Sequence, residues 1–356
     1  PSVEASVSVV KTRPVRVTAV VGTSKNAGKT TTLNNLIQFV PSKQRPLGLV
    51  SIGVDGEDYD FWLGHQKPKI FIQPGDSFAT AERALAASTA PSKIVKRTGI
   101  NTILGELIIW TATGAGSVLL AGVRTKRDLK VVVDAFKSIG TERILIDGSY
   151  QRTIAAAPDV SDEVIVATGA VLGSTVETVA KETSSFVSRL RLPAVDQSCT
   201  DEIELLAQAV SQGRPWISFT EAGVTKSRPF NEAKETTFGT PGFLAKQIPG
   251  EYAVLAFPGA ITDSLLSAIT GFAGRHVKLL ITDPTKNFAS FDKMNAFFRH
   301  KGDIQVLRPT QVLAITVNPA GIVRPDLPTE QLVPAIQELV ADIPVIPNRD
   351  PNLALL

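Results

Sequence analysis

Gly22-Thr-Ser-Lys-Asn-Ala-Gly28-Lys29-Thr30 decides the reading of this chain because of what flanks it. Before it, Val15-Arg-Val-Thr-Ala-Val-Val21 is β-branched and mostly apolar, the composition of a strand buried on both faces. After it, Leu33, Leu36, Ile37 and Val40 recur at helical spacing before Pro41, which predicts a helix over 29–40. A glycine-bearing loop between a buried strand and a helix N-terminus is the setting in which Gly-Lys-Thr cradles phosphate. Side chains would keep the backbone N–H groups from closing on the oxygens, and the helix end adds partial positive charge. Gly22, Thr23, Ser24, Lys25, Asn26, Ala27, Gly28, Lys29, Thr30 and Thr31 are therefore the expected nucleotide-binding set. Lys29 is placed at the β- and γ-phosphates and Thr30 at a Mg²⁺. The alternative is an ordinary glycine-containing connection with no ligand. The spacing departs from G-x-x-x-x-G-K-[ST], since Thr23 stands where that pattern has its first glycine.

A Mg²⁺ held by Thr30 needs carboxylates, directly or through water. Two candidates close predicted strands, where open α/β sheets place their ligands. Asp147 ends Arg143-Ile-Leu-Ile-Asp147, and Asp55 follows Leu49-Val-Ser-Ile-Gly-Val54; each is followed by glycine. Lys29 and Asp147 are the expected catalytic residues, and Thr30, Asp55 and Asp147 the expected metal ligands. An Asx-type turn after a strand explains each acid equally simply. Glu57, Asp58 and Asp60 read as a solvated loop. Thr168-Gly169-Ala170 ends another strand and reads either as a neighbour of the phosphates or as a tight turn. Asp283-Pro-Thr-Lys286 lacks the Asn-Lys-x-Asp order of a base-reading motif and reads as a turn, and Arg152 reads as a charge stabiliser or a loop cap.

The same rhythm of strand and helix extends along the chain. Strands are expected at 47–54, 70–72, 143–146, 163–167, 253–256, 277–281 and 311–317, and helices at 79–87, 127–139, 175–190, 261–270, 288–300 and 329–340. Residues 93–121 break the pattern and predict an antiparallel meander. The expected fold is α/β: a mostly parallel sheet flanked by helices, with a small antiparallel insertion and a second, C-terminal α/β lobe. The expected division is a nucleotide-binding domain over 1–200 with its β insertion near 93–121, a turn-rich connecting region over 201–250, and a C-terminal lobe over 251–356.

Composition narrows the classes. The chain has 356 residues, 43% hydrophobic and 20% charged, the balance of a folded globular protein. Lys plus Arg number 37 against 34 Asp plus Glu, a net charge of +3 scattered along the sequence, so nucleic acid is not an expected partner. No apolar run reaches the ~20 residues of a membrane span, and the N-terminus lacks the apolar core of a signal peptide, so the cytoplasm is the expected compartment. One cysteine and three separated histidines, His65, His276 and His300, argue against disulfides, Cys-rich clusters and a His-based metal site. No Ser-His-Asp set is arguable.

The segment GTSKNAGKTTT resembles the loop of dethiobiotin synthetase and of the cobyrinic and cobyric acid synthases. Lys25 is similar to the extra lysine of the deviant loop in that branch of P-loop proteins, but one residue out of place. Taken with GTSKNAGKTTTLNNLI, SIGVDGEDYD followed by KPKIFI, LIDGSYQR, VIVATGAVLGS, DPTKNF and ITVNPAG, the chain resembles the P-loop subunit of the lysine 5,6-aminomutase reactivase family. That resemblance implies an accessory ATPase using ATP (or GTP) and Mg²⁺, acting with a second reactivase subunit on a cobalamin-dependent aminomutase. Enzymes of the branch often dimerise across the nucleotide, so a homodimer is also implied. Motif physics alone reaches nucleotide plus Mg²⁺, which leaves a ligase of the dethiobiotin synthetase type and a non-hydrolysing nucleotide-binding module as alternatives.

Overall fold

The computed structural model describes residues 15–41, 44–53, 69–148, 153–221, 223–229, 252–270, 276–340 and 342–355. Their contacts divide into two units, residues 1–18 with 40–146 and residues 19–39 with 147–356. The chain is α/β, built on a nine-stranded, mostly parallel sheet and a five-stranded one.

In the first unit, β2 (Leu47–Ser51), β4 (Ser77–Ala81), β6 (Gly105–Ala112) and β5 (Ser92–Thr102) lie side by side in that order at one end of the large sheet. β2 and β4 are parallel, whereas β4–β6 and β6–β5 are antiparallel. β3 (Ile70–Ile72) and β7 (Gly116–Val118) form a separate antiparallel pair, so the expected meander splits between two sheets. α2 (Lys126–Ser138) starts at Thr125, whose side chain accepts from the Asp128 N–H, and buries Leu129, Val132, Val133 and Phe136. β8 (Arg143–Asp147) follows.

The helix expected over 79–87 is instead strand β4 followed by a short 3₁₀ turn, Glu82–Ala87. All five residues of β4 are buried between β2 and β6. Small side chains suit that position, and the pairing overrides the helix preference of alanine.

In the second unit, β1 (Arg16–Gly22) leads through the loop into α1 (Lys29–Phe39). β9 (Glu163–Gly169) lies beside β1, β15 (Val312–Asn318) beside β9, and β16 (Val345–Pro347) beside β15, the last two pairings parallel. α3 (Val176–Leu190) is capped by Thr175, and α7 (Thr329–Val340) connects β15 to β16.

The five-stranded sheet runs β11 (Val224–Pro229), β10 (Trp216–Glu221), β12 (Tyr252–Ala256), β13 (His276–Ile281), β14 (Gly302–Val306). Alternation along its strands makes two cores. Leu255 and Leu279 pack with Leu265 and Leu266 of α5 (Asp263–Thr270) and with Met294 and Phe297 of α6 (Phe291–Arg299). Val254 and Leu280 pack with Leu205 and Leu206 of α4 (Thr200–Gln212).

The sheets therefore divide the chain differently from the expected boundaries. Residues 201–229, expected to connect, supply α4, β10 and β11, and β15, expected in the C-terminal lobe, belongs to the nine-stranded sheet. Hydrophobic periodicity marks a segment as a strand, but pairing with a strand some 150 residues earlier leaves no local signal. No helix among the described residues is long and apolar enough to cross a membrane.

Candidate functional site

The loop between β1 and α1 is fixed by its backbone. Thr23 N–H donates to the Ala167 carbonyl at 2.9 Å, and its hydroxyl lies 3.3 Å from the same oxygen and 3.2 Å from Thr168 Oγ1. Thr168, wholly buried, shares a 2.6 Å hydrogen bond with Thr183 Oγ1, and the Thr183 hydroxyl donates to Val179 O at 2.7 Å. A chain of three hydroxyls thus ties the start of the loop to α3. Asn26 takes a left-handed φ of 65°, which asparagine tolerates, and Gly28 has φ 96°. The helix begins at once, with Thr32 N–H donating to Gly28 O at 2.9 Å. Ala27 is fully buried, and Ser24 and Thr30 are partly exposed.

Two glycines leave room that a Cβ would fill. A Cβ on Gly22 would stand 2.8 Å from Lys29 Nζ, so the lysine side chain folds back over the end of β1. A Cβ on Gly28 would stand 2.9 Å from both Asn318 Cβ and Asn348 Nδ2. Lys29 Nζ donates to the Ser24 carbonyl at 3.3 Å, inside the loop. Burial pushes the Lys29 ammonium below the ordinary lysine range, and the nearby charge of Asp147 partly offsets that.

Asp147 is the last residue of β8 and is partly exposed. Gly148 N–H donates to Val20 O at 2.9 Å, and a Cβ on Gly148 would approach that oxygen to 2.7 Å. The glycine after the acid is therefore needed for close approach to β1, which sets Asp147 beside the lysine. The cradle suits a polyphosphate: it has glycines where side chains would intrude, a helix N-terminus and a half-buried ammonium. Thr30 and one carboxylate suit Mg²⁺, which retains most of its waters. Among the described residues, no cluster of three or more His, Cys, Asp and Glu is placed to hold a metal.

Other sequence candidates fall as follows. Asp55, Glu57, Asp58, Asp60, His65 and Arg152 lie outside the described residues. Lys25 is exposed. Thr168 meets the loop through Thr23, and Gly169 is required because a Cβ there would come within 2.0 Å of Asn318 O. Asp283 is buried and caps a turn, its carboxylate accepting from Thr285 N–H at 3.1 Å and from the Thr285 hydroxyl. His276 stacks on Tyr252 with ring centroids 5.2 Å apart, and His300 closes α6 through the Ala296 carbonyl.

Sequence reasoning missed three asparagines around the loop. Asn318 Nδ2 donates to Asn26 O at 3.3 Å. Asn35 Nδ2, on the buried side of α1, donates to the carbonyls of Asn348 at 3.2 Å and Asp350 at 2.7 Å. Asn348 is itself buried. The Asn-Pro step after β15 was the one available cue, since that dipeptide punctuates a strand end. Comparison with protein-family models, curated proteins and solved structures finds no match for this chain.

Proposed function

We propose that the chain binds Mg–ATP at residues 22–31 and hydrolyses it as an accessory ATPase. The observation that carries the reading is the half-buried Lys29 ammonium, folded over Gly22 and held by a carbonyl of its own loop. A cation whose burial already lowers its proton affinity is stabilised by an anion entering the cradle, and polyphosphate is the anion that a glycine loop and helix N-terminus admit.

In this reading Lys29 holds phosphate oxygens, the loop N–H groups orient them, and Thr30 and Asp147 hold Mg²⁺, Asp147 directly or through water. The ion, when bound, supplies positive charge against the phosphate oxygens. Asp55 is retained as a proposed second carboxylate. The step beyond ATP binding, action with a second subunit to reactivate a cobalamin-dependent aminomutase, rests on the resemblance of the motifs alone, as do homodimerisation and a cytoplasmic site of action.

The test is calorimetric titration with ATP and with GTP in the presence of Mg²⁺, followed by phosphate release with and without a cobalamin-dependent aminomutase. ATP binding with slow turnover that the mutase accelerates supports the reading. Turnover indifferent to the mutase moves the chain toward the ligase class, and unchanged ATP affinity in Lys29→Ala ends the nucleotide assignment.

A further inference from the structure

β5 is the outermost strand of the nine-stranded sheet, paired on one side with β6. Among the described residues no strand lies on its other side. An edge strand ordinarily turns alternate residues to a core. In β5 five successive residues, Lys93 to Arg97, are exposed, including Ile94 at 47% and Val95 at 41%. The pairing with β6 slips between Ile94 and Lys96, so Val95 is an extra, bulged residue there, and among the described residues no strand pairs with the outer edge of this stretch.

The surroundings are strongly basic. Between Ser92 and Ser138 the sequence has eight Lys and Arg and three Asp and Glu, a surplus larger than that of the whole chain. Of the three acids, Glu106 pairs with Arg97 at 2.6 Å, Asp128 lies in the first turn of α2 and Asp134 is exposed on the same helix, so the cations outnumber them by five. Lys93, Lys96, Arg97, Arg127, Lys130 and Lys137 are exposed, and α2 packs beside β5, with Lys96 Nζ donating to Ser138 Oγ at 2.7 Å. Charges scattered along the sequence are thus gathered on one hairpin and its helix.

We propose that β5 is a docking edge for an extended, acidic segment of a partner protein, which adds to the sheet as a further strand. Main-chain hydrogen bonds would satisfy the open edge, carboxylates would meet Lys93 and Lys96, and apolar side chains would cover Ile94 and Val95. A second copy of this chain is a poor occupant, because antiparallel self-pairing sets the cations of the two edges against each other. Nucleic acid is also a poor one: no aromatic residue lies in β5 for base stacking, and phosphate would leave the open backbone and the two aliphatic side chains unused. The proposal is independent of the nucleotide reading.

The test uses the full chain and three probes: a peptide alternating Glu and Val about as long as β5, its Lys and Val counterpart, and a short DNA duplex. Amide hydrogen exchange over 92–102 and fluorescence anisotropy report binding. The acidic peptide is expected to slow exchange in β5, to lose affinity as salt is raised, and to bind about tenfold more weakly to Lys93→Glu/Lys96→Glu, given long-range charge complementarity. Val95→Pro, tolerated at an edge, is expected to abolish protection without changing the melting temperature. Absence of protection by the acidic peptide, equal protection by the basic one, or protection by DNA alone overturns the proposal.

Discussion

The Lys29 side chain occupies the space that a side chain on Gly22 would need, Nζ lying 2.8 Å from where that Cβ would stand. Gly22 does not have the left-handed φ that penalises other residues, so its substitution tests the space alone. Gly22→Ala is expected to displace the lysine tip, which is flexible, and to leave the fold nearly as stable. ATP affinity should fall by about tenfold or more, worth about 1.4 kcal/mol. Parallel calorimetry and thermal melting check this; an ATP affinity unchanged in Gly22→Ala would remove the reason for the glycine.

Burial sets the pH response of Lys29. Its pKa in the folded protein lies below the ordinary 10.5, mainly through desolvation. The unfolded chain therefore binds this proton more tightly than the folded one, and charged Lys29 costs stability at every pH below its folded pKa. That cost fades as pH rises from the folded value to the ordinary one. Lys29→Met, similar in length and without charge, should be more stable than the parent at neutral pH, with the margin closing as pH approaches 10.5. Saturating Mg–ATP should reverse the order, because a ligand that binds only the parent stabilises only the parent. Urea midpoints at neutral and alkaline pH, with and without nucleotide, provide the comparison.

The loop and its flanks were legible in the sequence because their signals are local: β-branched residues before Gly22, helical spacing after Gly28, and an acid closing a short apolar run at Asp147. What encloses the loop was not. Asn318 and Asn348 reach Gly28 from some 300 residues away along the chain, through pairings of β9, β15 and β16 that have no local signature. Alanine content misdirected Ala79 to Ala81, where burial between two strands outweighs propensity. Trp216–Glu221 and Val224–Pro229 pair as a hairpin although turn residues surround them. The positive character of the region around β5 also emerged only on folding, since its cations come from two separated stretches.

Gly28 makes a different demand from Gly22, since both its φ of 96° and its two asparagine neighbours exclude a side chain. Gly28→Ala should cost about 1–3 kcal/mol in backbone strain alone, with further loss as Asn318 and Asn348 are pushed aside. Chemical denaturation measures the cost. A variant as stable as the parent would mean that the loop adopts another conformation.

The hydroxyl chain Thr23–Thr168–Thr183 is buried at its centre, so its removal should be felt in stability. Thr168→Val keeps the side-chain volume and leaves the neighbouring hydroxyls short of a partner, at about 1–3 kcal/mol. Thr183 retains the Val179 carbonyl at 2.7 Å and Thr23 only the longer contact of 3.3 Å to the Ala167 carbonyl, so the larger effect is expected at Thr23 and hence in the loop. Faster hydrogen exchange at the Thr23 amide, which bonds Ala167 O, would show it directly; exchange accelerated only within α3 would place the effect away from the loop.

Asp147 separates a metal partner from a plain turn residue. Its charge raises the Lys29 pKa against the dominant effect of burial, so Asp147→Asn should lower that pKa further whichever role the acid has. The Lys29 side-chain NMR titration should therefore move to lower pH. If Asp147 also holds Mg²⁺, the same variant should need about 10- to 100-fold more Mg²⁺ for nucleotide-dependent activity, the usual cost of losing a group that supports a metal. A titration shift with unaltered Mg²⁺ dependence would leave Asp147 as an electrostatic neighbour of the lysine and transfer the metal role to another carboxylate, Asp55 being the one to substitute next.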